Sequence, residues 1–394
     1  MKILMLTPYL PFPLYSGGQI RTYNLLKNLA DKHQVTLVSF YRQEQELDYV
    51  KNLEEFCFKV LPVKRRKTWG LTNILLAGFS FYPFLVATYL SSEAKEKVEQ
   101  ELGSGQYDLI HIETFYLMPN LPKTEMPILL VEQTIEYLVY QRFVQNFKLW
   151  LIKPLLYLDV LKIKLWERYF WRKANYLAAM STDDLEIMLK SGHKKEGGIV
   201  ANGVDIEFFE KKRVVKTSQP TVLFVGNFKW LPNKDAATYL VEEIWPLIKK
   251  QVPQAKLWIV GRNPTKAIKK YNQLPDIRVG QVADIRDAFA QADVLLAPIR
   301  NGRGTKYKVL EAMAAGVPVV TTPLGAQGIE ARPGKEIVIA TKTTDLAKEA
   351  SALLLSKNKD QQLARLAKKL VRAKYNWPAI SQKLDQIYQK LGGA

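Results

Sequence analysis

Residues 302–316 read GRGTKYKVLEAMAAG and set glycines, cations and one acid at a spacing that could hold a phosphate and a sugar together. The apolar run PVVTT follows, so a helix is expected to start near Tyr307 and stop at Gly316 before a strand. A helix start presents free N–H groups and the positive end of the helix dipole, which suit a diphosphate. Gly302, Gly304 and Thr305 would offer amides there, and Arg303, Lys306 and Lys308 positive charge. Glu311 lies about a turn and a half further in, where a carboxylate can accept from two hydroxyls of a sugar. Phosphate and sugar in one place point to a nucleotide-sugar site.

Four other places carry candidate chemistry. Gly17 and Gly18 precede a helix that holds Arg21, and glycine permits close backbone approach to a ligand. TVLFVGNFKWLPNKD delivers Gly226 and Lys229 from the end of a strand, with Asn233 read as the N-cap of the next helix. KLWIVGRNP ends a strand at Gly261 and Arg262. In VEQTIE, Gln133 follows the strand end as a polar candidate that takes no proton. His111 on YDLIHIE is the alternative, its other reading being a core side chain.

These positions need elements to hold them. Apolar runs alternate with helical stretches, which predicts parallel sheets covered by helices. The first half holds KILMLT, QVTLVSF, CFKVLPV, YDLIHIE, MPILLVE and NYLAAMS, and closes on GGIVANGVD. After the polar linker KKRVVKTSQP come six more strands, from TVLFVG to EIVIA, with helices near 234–251 and 284–291. The expected domains are 1–205 and 206–376, followed by a last helix over 377–394. MKILMLTP lacks the apolar core and cleavage site of a signal peptide and reads as a buried first strand.

The chain has 394 residues, 47% of them hydrophobic and 24% charged, the balance of a folded protein large enough for two domains. Its one cysteine, Cys57, excludes an internal disulfide and fits a reducing compartment. One cysteine and three histidines are too few for a Cys/His zinc site. A net charge of +19 draws anionic partners. No zinc-finger or RRM pattern appears, so phosphorylated substrates and acidic membranes are favoured over nucleic acid. No P-loop, G-x-S-x-G elbow or Cys–His pair is present either.

Two segments break the alternation. Residues 68–92 carry no charge until Glu93 and follow the basic cluster 64–67. Gly70, Asn73, Gly78 and Pro83 favour two short covering helices over a membrane span, with a membrane surface contact next. Residues 142–173 hold eight basic residues, including Lys148, against Asp159 and Glu167, with Trp150, Trp166 and Trp171 among them. An interfacial helix and a helix packed on the domain both remain open there.

Taken together, the EAMA run at 311–314, the WLPN and VGR loops, Gly17–Gly18, Asn202-Gly203-Val204-Asp205 and the final YNWPAISQKLDQIY resemble the family 4, or group 1, retaining glycosyltransferases of the GT-B fold. Sugar transferases of exopolysaccharide assembly are the most similar variety. The resemblance implies two Rossmann-like doubly wound domains facing across a cleft that closes by a hinge. The first would bind the acceptor and the second the nucleoside-diphosphate sugar. It implies transfer to a lipid-linked or polysaccharide acceptor, without metal or cofactor, by a cytoplasmic protein held peripherally at the inner face of the cell membrane.

The resemblance also assigns roles. Glu311 would bind the ribose, and Gly226, Lys229 and Arg262 would border the donor. Gly17, Gly18 and Arg21 would line the cleft. The chain departs from the family at two points. Arg303 stands where a first glutamate touches the donor sugar, and Gln133 stands where a histidine faces it. These departures keep two alternatives in view, a non-catalytic nucleotide-sugar binder and a nucleotide-sugar epimerase.

Overall fold

In a computed structural model, the chain is described over residues 1–105, 107–147, 149–192, 196–211, 219–302 and 304–393, with backbone alone at 357–360. Arg303, Lys148 and most of the expected linker therefore lie outside the described residues. The chain divides into two compact units: Met1–Ala201 with Ile380–Ala394, and Asn202–Ala379.

The first unit is built on seven parallel strands: β1 (Lys2–Thr7), β2 (Gln34–Tyr41), β3 (Lys59–Lys64), β4 (Leu109–Glu113), β5 (Ile128–Glu132), β6 (Tyr176–Ala179) and β7 (Gly197–Ile199). Their spatial order is β3-β2-β1-β4-β5-β6-β7. In β1 every residue after Lys2 is buried, as expected of a central strand covered on both faces. The chain reverses its winding between β1 and β4, and ligands of such sheets bind outside the carboxyl ends of the strands at that point.

The second unit repeats the scheme with six strands: β8 (Thr221–Val225), β9 (Lys256–Val260), β10 (Ile277–Gly280), β11 (Val294–Ala297), β12 (Val319–Thr321) and β13 (Val338–Ile339). The order β10-β9-β8-β11-β12-β13 is that of a Rossmann sheet. A Cβ on Gly261 would lie 1.6 Å from the Gly226 carbonyl oxygen, so the ends of β8 and β9 close together only with glycine at 261.

One helix differs from the sequence reading. The one placed at 234–251 begins at Leu231 with Trp230 as N-cap, and Asn233 lies inside it. It also widens to a π-turn over Leu240–Ile244, where the Trp245 amide reaches back to Leu240. Pro246 explains that shift, because a proline has no N–H to give the preceding turn. Residues 68–92 form two short helices, Leu71–Phe79 and Phe84–Tyr89, and no helix among the described residues is long and apolar enough to cross a membrane. The basic stretch becomes helices Glu136–Gln145 and Lys153–Lys173, the latter burying Val160, Ile163, Glu167, Phe170 and Trp171 along one stripe.

The last helix, Trp377–Gly392, buries Trp377 and Tyr388. Gly203 leaves room for Trp377, since a Cβ there would meet the indole at 2.8 Å. Further along, Asp385 accepts from Lys32 and His33 at 2.7 and 2.9 Å, and Tyr388 Oη lies 2.6 Å from His111 Nδ1. Removing that hydroxyl strands a fully buried imidazole nitrogen. Tyr388→Phe should lower unfolding stability by about 1–3 kcal/mol, read as a lower urea midpoint at unchanged slope.

Candidate functional site

In the second unit, the loop after β11 feeds the helix Tyr307–Ala315. Val309, Leu310, Ala312, Met313 and Ala314 bury its inner face, which fixes its axis against the sheet. Gly316 ends it at φ 76°, a left-handed position suited to glycine, and returns its amide to Ala312 and Met313. Gly302 and Gly304 also take positive φ, 102° and 75°, which lets the loop turn tightly onto the helix start.

Around this turn the polar groups are incompletely paired. Thr305 is buried and its hydroxyl has no hydrogen-bond partner among the described residues, with Gly328 opposite it. A Cβ at 328 would reach within 2.6 Å of that hydroxyl. Lys306 Nζ donates to the Gly304 carbonyl. Lys308 Nζ donates to Asn233 Oδ1 at 2.7 Å and lies 4.3 Å from the centre of the Phe224 ring. Asn233 in turn donates to the Asn227 carbonyl at 2.9 Å. Asn233 therefore ties the loop after β8 to the loop after β11 rather than capping a helix.

Glu311 is half-buried and receives no hydrogen bond from any described residue. Burial pushes its carboxyl up to about 7, and the nearby Lys308 charge opposes that rise. Burial likewise brings Lys308 down to about 7; Lys306 adds to the fall and Glu311 resists it. Two half-desolvated groups of opposite charge thus share one corner without a direct bond between them. Tyr307 donates to Asn202 Oδ1 at 3.1 Å, which anchors the start of the NGVD run to the helix start.

The other donor candidates fall around this corner unequally. Gly226 is buried beneath Asn233, where a Cβ would meet Cγ at 3.0 Å. Lys229 and Arg262 are exposed on adjoining loops, with the Phe228 amide donating to the Arg262 carbonyl at 2.9 Å. Pro232 comes alongside Gly302, 3.4 Å from a notional Cβ. Arg303 is outside the described residues.

The first unit holds a second polar assembly at the carboxyl ends of β4 and β5. Gln133 Nε2 donates to Tyr9 Oη at 2.5 Å and to Glu113 Oε2 at 2.8 Å. Gly18 is a requirement of this arrangement, because a Cβ would stand 2.2 Å from Tyr9 Oη and 2.8 Å from Gln133 Oε1. Ser16 caps the helix that Gly17 begins. Burial would raise the Glu113 carboxyl, yet Arg21, His111 and Gln133 together hold it below the usual carboxylate range. Burial, and next to it the Glu113 charge, push the Tyr9 phenol up.

Two expectations need correction here. His111 has no accessible surface; its Nδ1 meets Tyr388 and its Nε2 lies 3.4 Å from Glu113. A group sealed in this way cannot take a proton from a substrate, so His111 is a positioning residue for Glu113. Arg21 is also buried rather than lining a surface. Its Nη1 donates to the Ala201 carbonyl at 2.9 Å and its Nε stands 3.8 Å from Glu113.

Sequence reasoning missed the acids around Gln133. Glu132 accepts from the Phe115 amide and the Trp171 indole at 3.2 and 3.1 Å. Glu167, expected as a stray acid among bases, accepts the Glu136 and Tyr137 amides at 2.7 and 3.1 Å and so caps the helix Glu136–Gln145. Burial raises Glu132, Glu136 and Glu167 alike, Glu136 to about 7. Their spacing across β5 and a helix thirty residues on carries no local signal. Glu113 and Asn233 were more accessible, the first at the carboxyl end of a strand and the second directly after the WLP turn.

Comparisons agree with this architecture. Residues 219–356 match the family described as glycosyl transferases group 1. An uncharacterized 44.6 kDa protein of the cps region of Klebsiella pneumoniae is 22% identical over 88% of this chain and 89% of its own length. The phosphatidyl-myo-inositol mannosyltransferase of Mycolicibacterium smegmatis is 25% identical, with 100% of this chain and 95% of that protein covered. Among solved structures, Anabaena HepE in complex with UDP superposes with a TM-score of 0.67 at 16% identity, over 99% of this chain and 100% of that one. A domain matching the group 1 glycosyl transferases thus spans residues 219–356, on the second of two Rossmann-like parallel sheets of the GT-B kind.

Proposed function

We propose that this glycosyltransferase moves a sugar, with retention of anomeric configuration and without a metal ion, from a nucleoside diphosphate to a lipid-linked or polysaccharide acceptor. The observation that carries the reading is Glu311: a half-buried carboxyl with no donor among the described residues, one turn beyond an amide-rich loop and beside Lys308. Ribose hydroxyls supply the two donors it lacks. The diphosphate would take Gly302, Gly304 and the unpaired Thr305 hydroxyl, with Lys306 and Lys308 balancing its charge. Arg303 joins them from sequence alone. Gly226, Lys229 and Arg262 border the base and ribose.

Chemistry then needs little from a protein base. The C1–O bond to the diphosphate breaks, the acceptor oxygen joins C1 on the same face, and its proton passes to the departing phosphate oxygen. Lysines and amides lower the barrier by stabilising charge on that leaving group. Gln133, locked by Tyr9 and Glu113, would position the acceptor rather than deprotonate it. A membrane-borne acceptor is supported by the net charge of +19 and by the exposed apolar residues of the first unit. The lipid-modifying mannosyltransferase among the relatives and the capsule-region protein favour envelope glycans, made at the inner face of the cell membrane.

Glu311→Gln should weaken nucleoside-diphosphate binding about 10- to 100-fold by calorimetry while leaving the fold intact, the loss of two charge-assisted hydrogen bonds. Unchanged affinity would remove Glu311 from the site. Binding should also pass through an optimum near pH 7. Glu311 must be charged to accept, so affinity falls as pH drops below about 7; Lys308 must be protonated, so it falls again as pH rises above about 7. Glu311→Gln should flatten the acid limb and Lys308→Met the alkaline one. Proton NMR of the first-formed product should show the donor's anomeric configuration, at a rate that EDTA leaves unaltered. Inverted product, or a rate abolished by EDTA and restored by a divalent ion, would overturn the mechanism.

A further inference from the structure

At the edge of the first sheet, β2 and β3 run in parallel to Tyr41 and Lys64 and release their chains side by side. The two exits enclose a cavity of about 470 Å³ with Arg42, Arg65, Arg66 and Lys67 on its walls and Trp69 at its rim. No carboxylate lines it among the described residues. The acids close by are engaged: Glu44 pairs with Lys64, and Glu46 accepts the Arg42 backbone amide at 3.1 Å. Arg65 is held in place by Thr68 at 2.8 Å, by the Tyr89 hydroxyl at 3.3 Å and by the Tyr89 ring. Buried guanidinium nitrogens find no acceptor among the described residues, Nε on Arg65 and Nη1 on Arg66. Four cations gathered around unused donors form a receptor for an oxyanion, and guanidinium forks match phosphate geometry.

What adjoins the cavity identifies the carrier of that oxyanion. The uncharged helix Leu71–Phe79 leaves directly from it. Trp69, Leu71, Phe79 and Phe81 are 81%, 72%, 89% and 88% exposed. The neighbouring helix Lys153–Lys173 is fastened to the same hairpin, Lys162 donating to the Ala77 and Ser80 carbonyls and Trp166 to the Phe81 carbonyl. It adds exposed Trp150, Leu151 and Leu155 from its start. So wide an apolar surface in water marks an interaction site, and basic residues beside apolar and aromatic ones suit the boundary of an acidic bilayer.

We infer that the Arg42–Arg65–Arg66–Lys67 cavity binds the phosphate head group of a membrane lipid while the hairpin at 69–81 enters the apolar layer beneath it. This rests on the membrane-borne acceptor reading and names the place where such a lipid is held. The occupant is a lipid phosphate in a bilayer; free phosphate would satisfy the cavity and leave the hairpin in water.

The test is flotation of the full chain with vesicles of phosphatidylcholine alone and with phosphatidic acid added. Wild type should bind the second far better. Arg42→Gln with Arg66→Gln should weaken binding tenfold or more, each charge being worth about fivefold at a lipid surface. Lys250→Gln with Lys269→Gln removes equal charge from exposed sites of the second unit and should change binding less than twofold. Phe79→Ser with Phe81→Ser should abolish flotation and spare binding of soluble glycerol 3-phosphate. Unaltered nucleotide binding checks that each variant is folded. If both arginine substitutions leave flotation intact, the cavity proposal fails and the membrane reading survives. Wild type that binds neither vesicle defeats both. Inorganic phosphate competing as well as the lipid, with no dependence on Phe79 and Phe81, defeats the lipid assignment.

Discussion

Desolvation without compensation is the constraint on which the donor corner depends. Lys308 and Glu311 are held where burial opposes the charge of each, and each is brought to about 7. Neither is neutralised by the other through a short bond. Such an arrangement costs folding free energy, since charged groups want water or a close partner. It persists because the helix Tyr307–Ala315 is fixed from its other side by five buried apolar residues. The packing face stabilises the fold; the opposite face is left with unspent donors and acceptors. In the proposed function, a diphosphate and a ribose present the complementary set.

The first unit solves the opposite problem. Glu113 is fully buried and is nonetheless held low, because Arg21, His111 and Gln133 converge on it. The convergence draws on four separate stretches: the first helix, β4, the turn after β5, and through His111 the last helix. Tyr388 fills the remaining side of His111, so the C-terminal segment braces the assembly that orients Gln133. A change at Tyr388 would therefore reach Gln133 through two intervening side chains. Gly18 shows the same economy of space, with Tyr9 and Gln133 packed where a side chain would otherwise begin.

Both sheets were legible because parallel strands buried on two faces leave continuous apolar runs, and KILMLT and TVLFVG are such runs. Helix ends set by local chemistry were legible too: Gly316 stops its helix in the left-handed region where only a glycine rests without strain. Contacts between distant segments were not. Asn233 follows a proline-containing turn and reads as a cap, but Lys308, seventy-five residues later, claims its side chain. His111 read as a spare base, and only its neighbour on the last helix, Tyr388, reveals that it is sealed. The π-turn at Leu240–Ile244 needed the geometric consequence of Pro246, which a hydrophobic pattern does not encode.

Gln133 raises the question of where a proton could go in this site, and its surroundings answer in part. Burial raises the Glu132 and Glu167 carboxyls well above the ordinary range, the Glu167 charge adding to the rise at Glu132 and the Glu136 charge to that at Glu167, and both act as hydrogen-bonding braces. Glu136 differs. It is half-buried, it starts the helix that follows Gln133, and burial alone brings it to about 7. It is the one acid of the three that both reaches solvent and exchanges a proton near neutrality. A glutamine that fixes orientation, followed three residues later by a carboxyl that titrates, divides between two side chains what one histidine would combine.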